Sequence, residues 1–356
     1  MPFALTKSIG LTPRKLERQL SEPMFGDVAM LDSLLEISSH SNLVKAVVQS
    51  PAFQRLKDIR FLGAIDYLVY PNGGGSSRRH SRFEHSLGVA TLAGRYAKAC
   101  SLDSLDEKHC VVAALLHDVG HGPLSHSLEP VFRQYYGITH HEASELIVRG
   151  LVPLGHEFVQ IFRSHGIDRE EVLSLISGDS TEPHCEIFSS PLNVDTLEGI
   201  SRAYTYMAPH HSVPTASRIL DAFIYRRGPE DVRILDGFWE LKNTVYQQLI
   251  NSKTGVMADH LCREYMRRHI GSFWKGNYFR TEFALRKEHP QLFTLLKDLR
   301  AAPSFMPADY ESVVEYSNRI FYIDASVKLT DRTKPLKRYR QRKEPAQLQL
   351  TSAKKV

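Results

Sequence analysis

The stretch Ala113-Ala114-Leu115-Leu116-His117-Asp118-Val119-Gly120-His121-Gly122 joins an apolar run to an adjacent imidazole and carboxylate, then breaks at glycine. The run from Val111 to Leu116 suits a helix packed deep in a core, where an unpaired carboxylate or imidazole is costly to bury. A bound cation would offset that cost. Two other segments carry groups of the same kind. Arg82-Phe83-Glu84-His85-Ser86 sets a histidine just ahead of Val89, Leu92, Ala93, Tyr96 and Ala97, the spacing of one buried helical stripe. Asn193-Val194-Asp195, followed by Leu197, Ile200 and Tyr204, sets Asp195 at the opening of another helix. His85, His117, Asp118 and Asp195 offer two nitrogens and two carboxylates. That mixed set favours a divalent Mn, Fe or Mg over structural Zn and leaves octahedral positions for water or phosphate oxygens.

A phosphate ester also needs an in-line nucleophile and a proton for its leaving oxygen. His121 lies one helical turn beyond His117 if the helix persists, and so would face the same pocket. His126 precedes Glu129 by three residues, a spacing at which the carboxylate can hold one ring nitrogen and aim the other.

The ordered set His85, His117-Asp118, Asp195 resembles the metal-binding signature of the HD-domain phosphohydrolase superfamily. More narrowly, it resembles the deoxynucleoside triphosphate triphosphohydrolases of the SAM-and-HD-domain type. Pro51-Ala52-Phe53-Gln54-Arg55-Leu56, Leu62-Gly63, the segment Arg82 to Val89 and the segment His117 to His126 follow in that family's order. The likeness covers about Val44 to about Lys253. It implies one metal held by His85, His117, Asp118 and Asp195, and a catalytic relay of His121, His126, Glu129 and His141. His141-Glu142 matches the family's His-Glu step, and His140 has no clear counterpart. Substrate contacts would come from Leu62, Arg82, Arg202, Lys242 and Tyr246. The implied activity is triphosphohydrolysis of nucleotides in a homo-oligomer.

Four positions depart from that family's pattern. Phe61 stands where a sugar-reading Gln is expected, and Thr196, Gly199 and Ala203 replace a Lys, a sugar-stacking Tyr and an acidic sugar contact. Deoxyribose recognition should weaken by about 1–3 kcal/mol for each missing contact. Two other functions therefore stay open: an HD-type phosphodiesterase or nuclease, and a non-catalytic nucleotide sensor.

A chain of 356 residues can bury a large core. The expected fold is mainly α, an HD helical core with a small mixed α/β C-terminal region. The expected divisions are an extension over 1–40, the phosphohydrolase domain over 41–270, the α/β region over 271–330 and a basic, disordered tail over 331–356. Ser50-Pro51 is a helix start. Tyr67-Leu68-Val69-Tyr70, Asp231 to Leu235 and Arg319 to Ile323 read as strands, with Asp236 capping a helix.

The formal net charge of +5 is mild and suits a phosphate pocket. The glycine-rich loop Asn72 to Ser77 leads into Arg78-Arg79-His80 and lacks the lysine of a P-loop. The loop reads as a flexible lid, a subunit contact or a tolerated insertion and the basic run Arg332 to Lys343 as a solvated end; both are also the places where nucleic acid would bind. Cys100, Cys110, Cys185 and Cys262 show no zinc or disulfide framework, which fits a reducing cytoplasm. Neither a signal peptide nor a membrane span is legible.

Overall fold

The computed structural model describes residues 25–68, 80–208, 211, 213–299, 313–329 and 335–349. Its helices are α1 Phe25–Ile37, α2 Ser41–Gln49, α3 Pro51–Arg55, α4 Arg82–Ala99, α5 Ser104–Leu116, α6 Glu129–Tyr136, α7 His140–Val148 and α8 His156–His165. There follow α9 Arg169–Ser177, α10 Glu186–Ser189, α11 Val194–Met207, α12 Ala216–Tyr225, α13 Pro229–Val245, α14 Lys253–Arg268, α15 Glu282–Glu288 and α16 Pro290–Lys297. Strands β1 Val313–Ile323 and β2 Tyr339–Gln349 pair antiparallel, from Val313 against Gln349 to Ile323 against Tyr339. The protein is thus mainly α with a two-stranded ribbon.

Helices α4 and α5 lie side by side at the centre, with α1, α9, α11 and α12 packed around them. Their buried faces explain the pairing: α5 is covered from His109 to Leu116, and α4 buries Phe83, Leu87, Val89, Ala90, Leu92 and Ala93. Caps fix the starts of α3, α4 and α11. Ser81 and Glu84 exchange a capping box that sets His85 in the first turn of α4. Asn193 accepts the Thr196 amide at 2.7 Å and opens α11 two residues before Asp195. Ser50 with Pro51 opens α3, as its sequence predicts.

Three expected elements differ. Gly63–Tyr67 is a 3-10 turn rather than the start of a strand, because Gly63 is left-handed at φ +58° and the Tyr67 hydroxyl is drawn inward to Glu282. Val69 and Tyr70 lie outside the described residues. Residues Asp231 to Leu235 belong to α13, which Pro229 starts at its first position. Asp236 therefore caps nothing: it sits within the helix, and its carboxylate receives Arg338 Nε at 2.8 Å and Nη2 at 2.5 Å.

The expected disordered tail holds β2. Trp239 of α13 packs its ring against Phe321 and Tyr339, 5.4 Å and 5.2 Å away, and its indole N–H is shared by the carbonyls of Tyr322 and Arg340. Apolar anchoring thus outweighs the charge repulsion that suggested disorder, since one buried indole covers both strands. The strand expected at Arg319 to Ile323 is the end of β1. The loop bearing Arg78 and Arg79, with Arg332 and Lys334, lies outside the described residues.

Candidate active site

Helix α5 ends at Leu116, and His117 to Gly120 turn away from it. Gly120 makes that turn possible: a Cβ there would lie 2.2 Å from the His140 carbonyl oxygen and 2.3 Å from the Ser144 amide. The turn brings His117 and Asp118 under α4, where ligand atoms of His85, His117 and Asp118 lie within 4.8 Å of one another. Asp195 Oδ1 joins them, 3.0 Å from His85 Nε2 and 3.7 Å from His117 Nε2. Its exposed side chain marks the open side of the group.

The partners of each imidazole fix its tautomer. His85 Nδ1 donates to Glu198 Oε2 at 2.5 Å, and His117 Nδ1 donates to the Ala114 carbonyl at 2.8 Å. Both Nε2 atoms are left with lone pairs, 3.2 Å apart and flanked by two carboxylates. Burial lowers the affinity of His85 for a proton, yet Glu198, Asp195 and Asp118 outweigh it and hold the group above its ordinary value. Such an excess of donors fits a divalent cation, and the carboxylate–imidazole pair Glu198–His85 is the usual support of a metal ligand. The four groups could hold such an ion. Arg82 Nη1 binds Asp118 Oδ2 at 2.6 Å, and this ion pair with His117 and His121 keeps Asp118 far below the usual carboxylate range despite its burial.

A second group adjoins the first. His121 Nε2 lies 3.1 Å from Asp118 Oδ1, although the helix expected to carry it has ended. Ligand atoms of His121, His126, Glu129 and His140 also lie within 4.8 Å of one another. His121 stacks on His140 with centroids 4.4 Å apart, and His126 stands edge-on to both. Glu129 Oε2 takes His140 Nδ1 at 2.7 Å, whereas Oε1 faces His126 Nδ1 at 3.8 Å. Burial would raise the Glu129 carboxyl, but His126 and His140 hold it far below its ordinary value.

The place expected for His141 is taken by His140. Helix α7 begins at His140, so its first side chain points toward Glu129, and His141 is turned about 100° further round the axis. Glu142 is spent on the capping box, accepting the Thr139 amide at 3.0 Å. His141 packs its ring on His140, 4.0 Å between centroids, and feels the Glu129, Glu142 and Asp118 charges, which oppose the lowering that burial and His140 impose on it.

The expected substrate contacts divide. Arg82 belongs to the site, gripping Asp118 and donating from Nε to Ser125 Oγ at 3.1 Å. Lys242 stands over the Trp239 and Phe321 rings; burial lowers it to about 8, Asp195 opposes that shift and Arg319 adds to it. Tyr246 packs on Phe321 at 4.6 Å and meets Arg319, on the side of β1. Arg202 is engaged by the protein itself: Nε binds Glu198 at 2.9 Å, Nη1 meets His80 Nδ1 at 2.8 Å and Nη2 donates to the Glu84 carbonyl at 3.2 Å. With each guanidinium nitrogen engaged, it braces Glu198. Leu62 packs on the core and gives its amide to Asp66 at 3.0 Å.

Two of the departures prove to be coupled. The Phe61 ring lies 4.6 Å from the His85 ring, with the Arg82 guanidinium 4.9 Å from its centroid. A Cβ at Gly199 would come 3.2 Å from Phe61 Cζ and 3.5 Å from His85 Cε1. An aromatic ring at position 61 therefore uses the room left by the small residue at 199, and a side chain there would push it aside by a few tenths of an ångström. Sequence reasoning missed Glu198 and His140. Glu198 sits three residues after Asp195, a spacing that shares a helix face and could have revealed it.

Residues 82–186 match the HD domain family. Over 170 residues, 42% of this chain and 26% of the relative, the sequence is 36% identical to the deoxynucleoside triphosphate triphosphohydrolase SAMHD1 of Gallus gallus. The corresponding human protein is 34% identical over 163 residues, 41% of this chain and 24% of that protein. The uncharacterized protein YwfO of Bacillus subtilis is 30% identical over 185 residues, 50% of this chain and 40% of its own. The matched stretch spans less than half the length of each of these relatives. The histidines and Asp118 of the site lie inside the matched stretch, so it is over residues 82–186 that this chain is similar to the HD-domain phosphohydrolases.

Proposed function

We propose that the chain hydrolyses nucleotide phosphoesters, as a (deoxy)nucleoside triphosphate triphosphohydrolase that releases nucleoside and triphosphate. The observation that carries this reading is the link between the two groups, Asp118 Oδ1 to His121 Nε2 at 3.1 Å. It joins a set of metal-ligand type to a set able to move protons. Names of the vertebrate relatives support the triphosphate substrate.

Bound by His85, His117, Asp118 and Asp195, a divalent ion such as Mn, Fe or Mg would polarise a phosphoryl oxygen. The chain's own residues do the rest. Glu198, itself held by Arg202, keeps the His85 proton on Nδ1. Arg82 fixes Asp118 and adds positive charge beside it. His126, 61% exposed, is placed to hand a proton to the leaving oxygen while Glu129 steadies its ring. Lys242, buried near Asp195, offers charge to a phosphate tail.

Phe61 with Gly199 favours a site less selective for deoxyribose, since the aromatic face offers no hydrogen bond to a hydroxyl. The decisive test is a panel of deoxynucleoside and ribonucleoside triphosphates, cyclic dinucleotides and single-stranded DNA and RNA, incubated with Mn and resolved by product. Release of intact triphosphate supports the proposal; cleavage of diesters alone replaces it with the phosphodiesterase or nuclease reading. Inertness toward all would leave the nucleotide sensor. Assembly into a homo-oligomer and nucleic-acid binding along basic β2 belong to the same proposal, read by sedimentation with and without nucleotide or oligonucleotide.

A further inference from the structure

Beyond residue 270 the chain returns to the site. Tyr278, Arg280 and Glu282 lie outside the stretch that matches the HD domain, yet each meets the segment from His117 to Glu129 or the residues that support it. Arg280 offers its carbonyl to Arg55 Nη1 at 3.2 Å, and Nη2 of the same buried guanidinium donates to the carbonyls of Val119 and His121 at 2.8 and 2.7 Å. Glu282 accepts the amides of Arg60 and Leu124 at 2.8 and 3.0 Å and the hydroxyl of Tyr67. One buried cation collects carbonyls and one buried carboxyl collects amides, so main-chain groups of both polarities find partners inside the fold. The segment needs such support: Leu124 and Ser125 are successive left-handed residues at φ 59° and 46°. Side-chain-bearing residues keep that conformation only where their surroundings impose it.

Tyr278 makes the most direct contact. It is buried, edge-on to Phe132 at 5.0 Å, and Gly122 packs against it so closely that a Cβ would meet its ring at 3.1 Å. Its hydroxyl donates to Glu129 Oε2 at 3.1 Å. That oxygen already accepts the His140 amide at 3.1 Å and His140 Nδ1 at 2.7 Å. Three donors converge on one oxygen, and the other is left to His126.

We propose that Tyr278 is a positioning residue: its hydroxyl, carried on the strap Tyr278–Glu282, fixes the rotation of the Glu129 carboxylate between His140 and His126. The proposal rests on the reading of His126 and Glu129 as a proton relay. Loss of the hydroxyl takes away one of the three donors on that oxygen, loosens the hold on the carboxylate and makes it a stronger anionic neighbour for both imidazoles.

Tyr278→Phe removes one oxygen atom and keeps the ring. In the metal-loaded full chain, kcat should fall about tenfold, the weight of one hydrogen bond to a charged group. KM and metal content should hold. The basic limb of the pH–rate profile, where the relay loses its proton, should move to higher pH. Hydrogen exchange of the His140 amide, which reports the hold on Glu129 without any substrate, should quicken several-fold. A fall in kcat with the pH profile and the His140 exchange both unchanged marks a merely structural tyrosine and overturns the proposal, as does no change at all. Should the wild-type chain prove inert toward every phosphoester, the proposed function falls, and His140 exchange alone decides the role of Tyr278.

Discussion

Two imidazole nitrogens turned lone pair to lone pair beside two carboxylates form an arrangement that costs free energy unless a cation lies between them. His85 and His117 are in that position because Glu198 and the Ala114 carbonyl hold their protons on the far side. Asp118 serves both groups, one oxygen near the ligand nitrogens and the other on His121. Its replacement by Ala should abolish stoichiometric metal binding, read by elemental analysis of the purified variant. The adjacent pair His140-His141 gives a sharper test. His140→Ala should lower kcat by about a hundredfold or more, the scale of a lost proton-transfer partner. His141→Ala, which removes a ring contact and the weaker charge interactions of an imidazole outside the His121–Glu129 group, should stay within about threefold. Equal losses in steady-state kinetics would return the role to the His-Glu step that the sequence suggests.

At the scale of elements, α11 acts as a lever for the candidate metal ligands. It presents Asp195, Glu198 and Arg202 on one side, and Arg202 anchors Glu198 while spanning to His80 and to the Glu84 carbonyl in the first turn of α4. The ligand His85 is thus held by a chain of contacts running between two helices. Glu198→Gln keeps the shape but weakens the acceptor for His85, so metal affinity should drop about 10- to 100-fold. Competition against a chelator of known affinity measures it, and circular dichroism checks that α11 persists. Undiminished affinity would show that His85 needs no such support. The same helix carries Gly199, whose lack of a side chain gives the Phe61 ring its room.

Across the whole molecule, the C-terminal part is tied into the HD core by buried charge rather than by apolar contact alone. Burial raises the Glu282 carboxyl from 4.5 to about 7, with Tyr67 and the amides of Arg60 and Leu124 opposing the shift. The folded state therefore holds this proton more tightly than the unfolded chain. Its contribution to stability is complete below about 4.5 and is lost as pH rises through about 7. Glu282→Gln removes that dependence, so stability of the variant relative to wild type should be more favourable at pH about 8 than at pH about 5. Urea unfolding at the two values decides it, and an identical slope in both proteins would exclude Glu282 as the source. Among the described residues, no helix is long and apolar enough to cross a membrane, and all four cysteines are free.

The helical class, the helix start at Ser50-Pro51, and the four candidate ligands His85, His117, Asp118 and Asp195 were legible from residue type and short spacing. Periodicity and capping act within a few residues, and a metal set is recognisable by its donors. The order of His140 and His141 was not legible, because it depends on the residue at which α7 begins. Nor was β2, whose charge suggests a solvated tail until Trp239, more than ninety residues earlier, covers it. That Arg202 braces Glu198 was not legible either, since only the packed fold shows where its nitrogens are used. Tyr278 and Glu282 carry no motif at all. Local sequence determined which groups could do the chemistry; contacts between segments far apart in the chain decided how those groups are oriented, because a side chain's direction follows from what it is packed against.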